Sequence, residues 1–408
     1  MSVLGAAGKA EVNNCWDGGN LSGRLFVLEA TTHGEDEMQR AMFKSLGAPT
    51  VGLGALRIAL ASSAATAPVV HAALGGAIIG YDVDQNGTEG ILAEYVSLNG
   101  GKNNVAVETF DQATGDIIKI VKEQDDTYND FVALGVAGKH TGVVMYERSD
   151  GTRVTKRIFK LLDPLRKNRF TGLWTPSFNQ DELLAGISET QGSSVNAIMG
   201  LVNDGSFRTF LFTSDIAANT FGPRVDLTDS LFDNAPPMAF DSRTNKAVVA
   251  ASIGCRTCTP TLALVDLVSA KVKEFAGIGL GTVNGIAVDS ADGIACTSTE
   301  IDFSVEFYDL KNKTGFLVQL QGASSQEQSG TDVEYDSVNG LFLVAQPFTS
   351  TGNSGSSIQV FDTKGNFVEA INGLSLPTGG ARIALNPNTR TGFVWVTPGG
   401  TELQGFTY

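Results

Sequence analysis

Four stretches of the C-terminal half follow one grammar: "PPMAFDSRTNKAVVAAS", "VNGIAVDSADGIACTST", "TDVEYDSVNGLFLVAQP" and "ARIALNPNTRTGFVWVT". In each, a short apolar run ends at Asp or Asn, a turn follows, and a second apolar run begins. The marker residues Asp241, Asp289, Asp336 and Asn386 are separated by 48, 47 and 50 residues. The first three units continue with a second pair of runs, "LALVDLVSAKVKEFAG", "SVEFYDLKNKTGFLVQL" and "IQVFDTKGNFVEAI", whose turns are led by Asp266, Asp309 and Asp362. A carboxylate at the head of a turn accepts backbone N–H groups just ahead of it, so these repeated Asp residues are read as structural. Four short strands per unit, at a period of roughly 40–50 residues, is the signature of β-propeller blades.

The frame extends toward the N-terminus. "AIIGYDVDQNGTEGILAEYVSL" followed by "NNVAVETFDQATGDIIKIV" fits it, with Asp111 leading the last turn. "DFVALGVAGKHTGVVMYERSDGTRVTKRIFKLL" fits more loosely, and residues 170–230 fit with longer connections. The expectation is an all-β chain, a propeller of six or seven four-stranded blades with seven preferred. The last unit holds only three strands before Tyr408. A ring closes without exposed edges when the other terminus supplies the missing strand, and residues 73–79 are the expected source.

Composition agrees. The 408 residues include 47 Gly and only 18% charged side chains, which suits tight turns between short strands. Net charge is −15, and no basic cluster offsets it, so nucleic acid and anionic membranes are poor partners. Three His at scattered positions give no zinc-protease or His-rich metal motif. Neither a phosphate-binding G-x-x-x-x-G-K-[ST] nor a G-x-S-x-G elbow occurs.

Residues 38–72, "MQRAMFKSLGAPTVGLGALRIALASSAATAPVVHA", have the layout of a secretory signal. Arg40 and Lys44 precede an apolar stretch rich in small residues, and "VHA" offers a cleavage site after Ala72. The alternative is a helix packed on the domain. Residues 1–37 form a polar extension, and a start codon at Met38 or Met42 would remove it. Three segments follow: 1–37 outside any domain, 38–72 as signal peptide, and 73–408 as one propeller. The expected location is secreted or periplasmic, as a monomer with no membrane span in the mature chain, since Arg57 and many small residues interrupt the apolar stretch. In an oxidising compartment Cys255 and Cys258 of "GCRTCTP" are expected to pair, leaving Cys296 of "GIACTST" as a buried strand thiol.

"YDVDQNGTEGILAEY", residues 81–95, sets Asp82, Asp84 and Asn86 two apart before Gly87. It resembles the calcium hairpins of FG-GAP repeats, whose ninth position here is Gly90 in place of Asp. An EF-hand would need a carboxylate where Ala93 stands. Two readings stay open: a calcium loop, or an Asn-Gly hairpin turn between blade strands. No cofactor is required by the sequence beyond a possible divalent cation such as calcium.

The grammar of "VNGIAVDSADG" resembles soluble propellers of the NHL and gluconolactonase (senescence-marker) type. The resemblance covers residues 76–408 as architecture. It implies that a residue opening an innermost strand points into the central channel and binds a divalent metal; Asn284 and Asp332 match that position. The family's channel-facing Glu near the N-terminal blade has no secure match. Loops that collect at a channel mouth add Arg382, Glu300 and Asp302 as candidate ligand contacts. The expected function is a secreted module that binds a small molecule or a protein through this mouth. The alternative is a metal-assisted hydrolase or lyase of lactonase type, in which a cation polarises a carbonyl and a carboxyl moves a proton.

Overall fold

The structure is a computed structural model. It describes residues 67–408 apart from 86, 99–101, 123–127, 137–140, 150–153, 163–169, 173–181, 189–194, 203–207, 216–217, 219, 228–235, 252–258, 280, 300–302, 323–330, 347–355, 377–381 and 397–399. Asn86, Glu300, Asp302 and the Cys255–Cys258 pair therefore lie outside the described residues, as do nearly all of segments 1–37 and 38–72. The described residues contain no helix, and none is long and apolar enough to cross a membrane.

A short strand, β1 (Val69–His71), opens the described chain. One sheet holds β2 (Ala77–Val83), β3 (Glu89–Leu98), β4 (Lys102–Asp111) and β5 (Ile117–Lys122); the next holds β6 (Tyr128–Val136), β7 (Thr141–Ser149), β8 (Val154–Leu162) and β9 (Phe170–Gly172). Then come β10 (Glu182–Ile187), β11 (Val195–Val202), β12 (Arg208–Asp215), β13 (Thr220–Phe221) and β14 (Val225–Asp226). Two further sheets comprise β15 (Met238–Asp241), β16 (Lys246–Ala251), β17 (Thr261–Asp266) and β18 (Lys271–Ala276), then β19 (Val283–Asp289), β20 (Ile294–Thr299), β21 (Ser304–Asp309) and β22 (Thr314–Gln319). Another has β23 (Asp332–Asp336), β24 (Leu341–Gln346), β25 (Ser356–Asp362) and β26 (Phe367–Leu374). The last joins β27 (Ile383–Asn386), β28 (Thr391–Trp395) and β29 (Glu402–Thr407) to β1.

These are six four-stranded blades of a β-propeller, together with one sheet of five strands, β10–β14. The four-stranded blades number six, not the preferred seven. In the remaining sheet, β13 and β14 both pair with β12, at Ser214–Asp215 and at Phe210–Leu211. Gly222 and Pro223 stand between them, and Pro has no N–H to give a ladder, so an outer strand there is broken in two.

The turns hold as the repeat implies. Asp241, Asp266, Asp289, Asp309, Asp336 and Asp362 each accept a backbone N–H two residues ahead at 2.9–3.0 Å. The Ser269 N–H holds the Asp266 carboxyl below its ordinary range, and the Asn312 N–H does the same for Asp309. The same turns stitch sheet to sheet. Arg243 Nη2 donates to Ser290 Oγ at 3.3 Å, Asn339 Nδ2 to the Pro387 carbonyl at 3.2 Å, and Asn388 Nδ2 to the Gln85 carbonyl at 2.6 Å.

The apolar core lies between sheets. Phe307 and Val305 meet Val333 and Phe342 across one interface; Val360 and Leu343 meet Ile383 and Val394 across the next. Val70 and Leu403 meet Tyr81, Leu92 and Phe110 where the last blade packs on the first. Cys296, free and fully buried on β20, fills the Phe307 cluster as a small apolar group, and burial pushes its thiol pKa up.

The closing strand is β1 and not residues 73–79. Val69, Val70 and His71 pair with Gln404, Leu403 and Glu402, and the Ala72 N–H donates to the Thr401 carbonyl at 2.8 Å. The register repeats that of the other blades. Third-strand side chains hold the linker that leaves the preceding outer strand: Gln359 Oε1 accepts the Gln321 N–H, Glu306 the Ile278 N–H, and Glu108 Oε2 the Ala73 N–H at 2.8 Å. Ala73 thus occupies the linker position and Val69–His71 the outer-strand position. Residues 73–79 lose the part because β2 must start at Ala77 as an innermost strand.

Candidate functional site

Innermost strands lie side by side around the ring: β19 against β23, β23 against β27, and β27 against β2. Their first residues gather at one end, and three sequence candidates fall there. Asn284 is an exposed residue beside a register shift at the start of β19; Asp332 opens β23; Arg382 directly precedes β27.

Asp332 Oδ2 accepts the Ile383 N–H at 2.7 Å. The carbonyl on the other side of that peptide unit, that of Arg382, accepts the Tyr81 hydroxyl. One peptide group is therefore gripped from both neighbouring blades, by an acid on β23 and a phenol on β2. Tyr81 is itself fixed, since its oxygen accepts the Trp395 N–H at 3.0 Å and its ring meets the Trp395 ring edge-on at 5.3 Å. This clamp sets where the Arg382 side chain leaves the backbone.

Burial pushes the Asp332 carboxyl up to about 6, while the Ile383 N–H, the Arg382 charge and the Val333 N–H act in the opposite direction. A carboxyl poised there exchanges its proton near neutral pH, and perturbed groups of this kind cluster at functional sites. Gly285 brings β19 into this arrangement. A Cβ at Gly285 would stand 2.6 Å from the Val333 nitrogen and 2.7 Å from the Asp332 Cα, so the absent side chain permits the approach. Gly285→Ala is expected to part β19 from β23, to cost about 1–3 kcal/mol, and to move the Asp332 titration; chemical denaturation with a pH series of the variant checks it.

A second feature lies along the same strands. A cavity of about 30 Å³, large enough to admit water, is lined by Met238, Phe240, Ile286, Val288, Glu334 and Tyr335 among others. The Tyr335 hydroxyl bonds to Asp289, and its pKa is raised by burial and by that carboxylate.

The opening of "YDVDQNG" is a blade hairpin between β2 and β3. The Asp84 N–H donates to the Glu89 carbonyl at 2.9 Å, and the Gly87 N–H to the Asp84 carbonyl at 3.2 Å. Asp82 Oδ1 accepts the Val83 N–H at 2.8 Å. Asp82 and Asp84 are both buried, and the Asp84 carbonyl also accepts Gln112 Nε2 and Asn386 Nδ2, which ties the hairpin to the last blade. Among the described residues no group of three or more His, Cys, Asp or Glu is placed to hold a metal ion. Asp332 is one carboxylate, and a hard cation asks for several oxygens, so Asp332 by itself does not make a metal site.

Sequence reasoning brought Asn284, Asp332 and Arg382 to one place and missed Tyr81, which stood inside the quoted hairpin motif and was overshadowed by its acidic neighbours. Its signal was its type: a Tyr at the middle of an innermost strand, where a hydroxyl needs a partner. No protein-family model matches the chain, and no curated protein matches it.

Proposed function

We propose that the protein is an exported binding module that takes a small polar ligand at the channel mouth formed by Asn284, Asp332 and Arg382. A propeller is an interaction scaffold in general, and the specific support is the Arg382–Ile383 peptide clamped by Asp332 and Tyr81. Asp332, a carboxyl that changes charge near pH 6, feels the Arg382 charge beside this clamp, and Asn284 opens the neighbouring innermost strand. Such a set suits a ligand carrying both hydroxyl and carboxylate groups. Export rests on the sequence of residues 38–72. Cleavage after Ala72 would remove β1 from the last blade, whereas cleavage before Pro68 would keep it.

A second reading, metal-assisted lactone hydrolysis, draws on the same raised carboxyl, which is suited to proton transfer. Asp332→Asn separates the two, because it replaces a charged oxygen by a neutral one of the same shape. In the binding reading the purified wild type and the variant carry the same metal content, and the variant loses affinity for hydroxy acids. A stoichiometric metal in the wild type that is lost in Asp332→Asn, together with lactone hydrolysis by the wild type, would replace binding with catalysis.

A further inference from the structure

Every blade ends in an outer strand, and an outer strand presents a row of backbone N–H and C=O groups to any other strand that approaches. Most of the described outer strands are blunted. β1 and β9 have three residues, and β13 and β14 two each. β18 carries Lys271, Lys273 and Glu274. β5 carries Lys119 and follows a register shift at Thr109–Phe110; β26 carries Glu369 and two register shifts. These are the devices by which sheets avoid edge-to-edge pairing.

β22 has none of them. "TGFLVQ" contains no charge and runs its six residues in unbroken register along β21. Phe316 and Leu317, neighbours that point to opposite faces, are each 47% exposed. The apolar surface continues onto the next blade. A Cβ on Gly365 would reach within 2.6 Å of the Phe316 ring, and Phe367 and Val368, 41% and 49% exposed, follow it in the chain. An exposed edge of this kind is a pairing surface, and its backbone specifies the chemistry of the occupant: an extended, uncharged strand.

We propose that β22 pairs antiparallel with β22 of a second copy of this chain. The strand is self-complementary. A two-fold axis that sets Leu317 opposite its own counterpart places Phe316 opposite Val318 twice, on the other face, and Gly315 opposite Gln319. Lys313, the charge nearest the strand, falls opposite Gln321, so no like charges meet. The rest of each copy is acidic, at −15, so the pair forms against a long-range repulsion that salt screens.

The full-length chain in sedimentation equilibrium is therefore expected to form dimers, and to form them more tightly as sodium chloride is raised. Leu317→Lys, at a half-exposed position, weakens association at least about tenfold. Val268→Lys, on an exposed turn of another blade, leaves it unchanged. Amides of residues 314–319 slow in hydrogen exchange as wild-type concentration rises. A wild type that stays monomeric at its highest soluble concentration overturns the proposal. So does a folded Leu317→Lys that associates like the wild type, or exchange at 314–319 that is independent of concentration, as it would be if another protein's strand were the natural occupant.

Discussion

A chain that begins at Ala73 should be less stable than the full chain by about 4–6 kcal/mol. It lacks Val70, which is fully buried between Leu403 and the first blade, and burying a Val side chain contributes about 1.5–3 kcal/mol. It also lacks the ladder from Val69–His71 to Glu402–Gln404, the Ala72 N–H bond to Thr401, and the Gly405 N–H bond to the Pro68 carbonyl, each contributing about 1 kcal/mol. The loss falls where the ring closes, at the packing of the last blade on the first. Tyr81 and Arg382 face each other across that seam, so the clamp on the Arg382–Ile383 peptide should loosen with it. Urea denaturation of a chain starting at residue 67 beside one starting at Ala73 measures the difference. Equal midpoints and slopes would show that β1 is dispensable and that cleavage after Ala72 is compatible with the closed ring. N-terminal sequencing of exported protein then tells which of the two chains is the natural one.

The second large effect concerns pH. Asp332 titrates at about 6 in the folded protein, against 3.8 when unperturbed, so the folded state holds this proton more tightly than the unfolded chain. The sign follows from linkage: the group favours folding below pH 3.8, and its contribution is lost as pH rises through about 6. Above that the carboxylate stays charged against burial. The shift corresponds to at most about 3 kcal/mol. Asp332→Asn removes the titration while its Oδ1 can still accept the Ile383 N–H. The variant should therefore be close to the wild type near pH 4 and more stable than it by that amount at pH 7–8. Turn carboxylates such as Asp266 and Asp309, whose pKa values are lowered, act below pH 4 and cancel in the difference. Melting temperatures of both proteins from pH 4 to 8 decide the matter; parallel curves would mean that Asp332 titrates normally and only caps the β27 peptide.

What the sequence by itself determined was the unit and its punctuation. An Asp that closes its own turn needs only the next three residues, so the markers at Asp241, Asp289, Asp336 and Asn386 are legible without knowing what packs on them. Apolar runs on either side then read as strands, and their period reads as blades. Asn284, Asp332 and Arg382 followed as a group, because the start of an innermost strand can be counted back from the same markers. Tertiary structure alone decided the rest. β1 finds β29 more than 300 residues away, and nothing in "VVH" announces that pairing when its last two letters belong to the "VHA" cleavage site. Pro223 splits an outer strand in two, which is visible only once both halves are seen on β12. The grip of Asp332 and Tyr81 on one peptide joins blades from opposite ends of the chain, and the raised pKa of Asp332 comes from their burial around it. Local hydrogen bonds are written in neighbouring residues, whereas desolvation and ring closure depend on which distant surfaces meet.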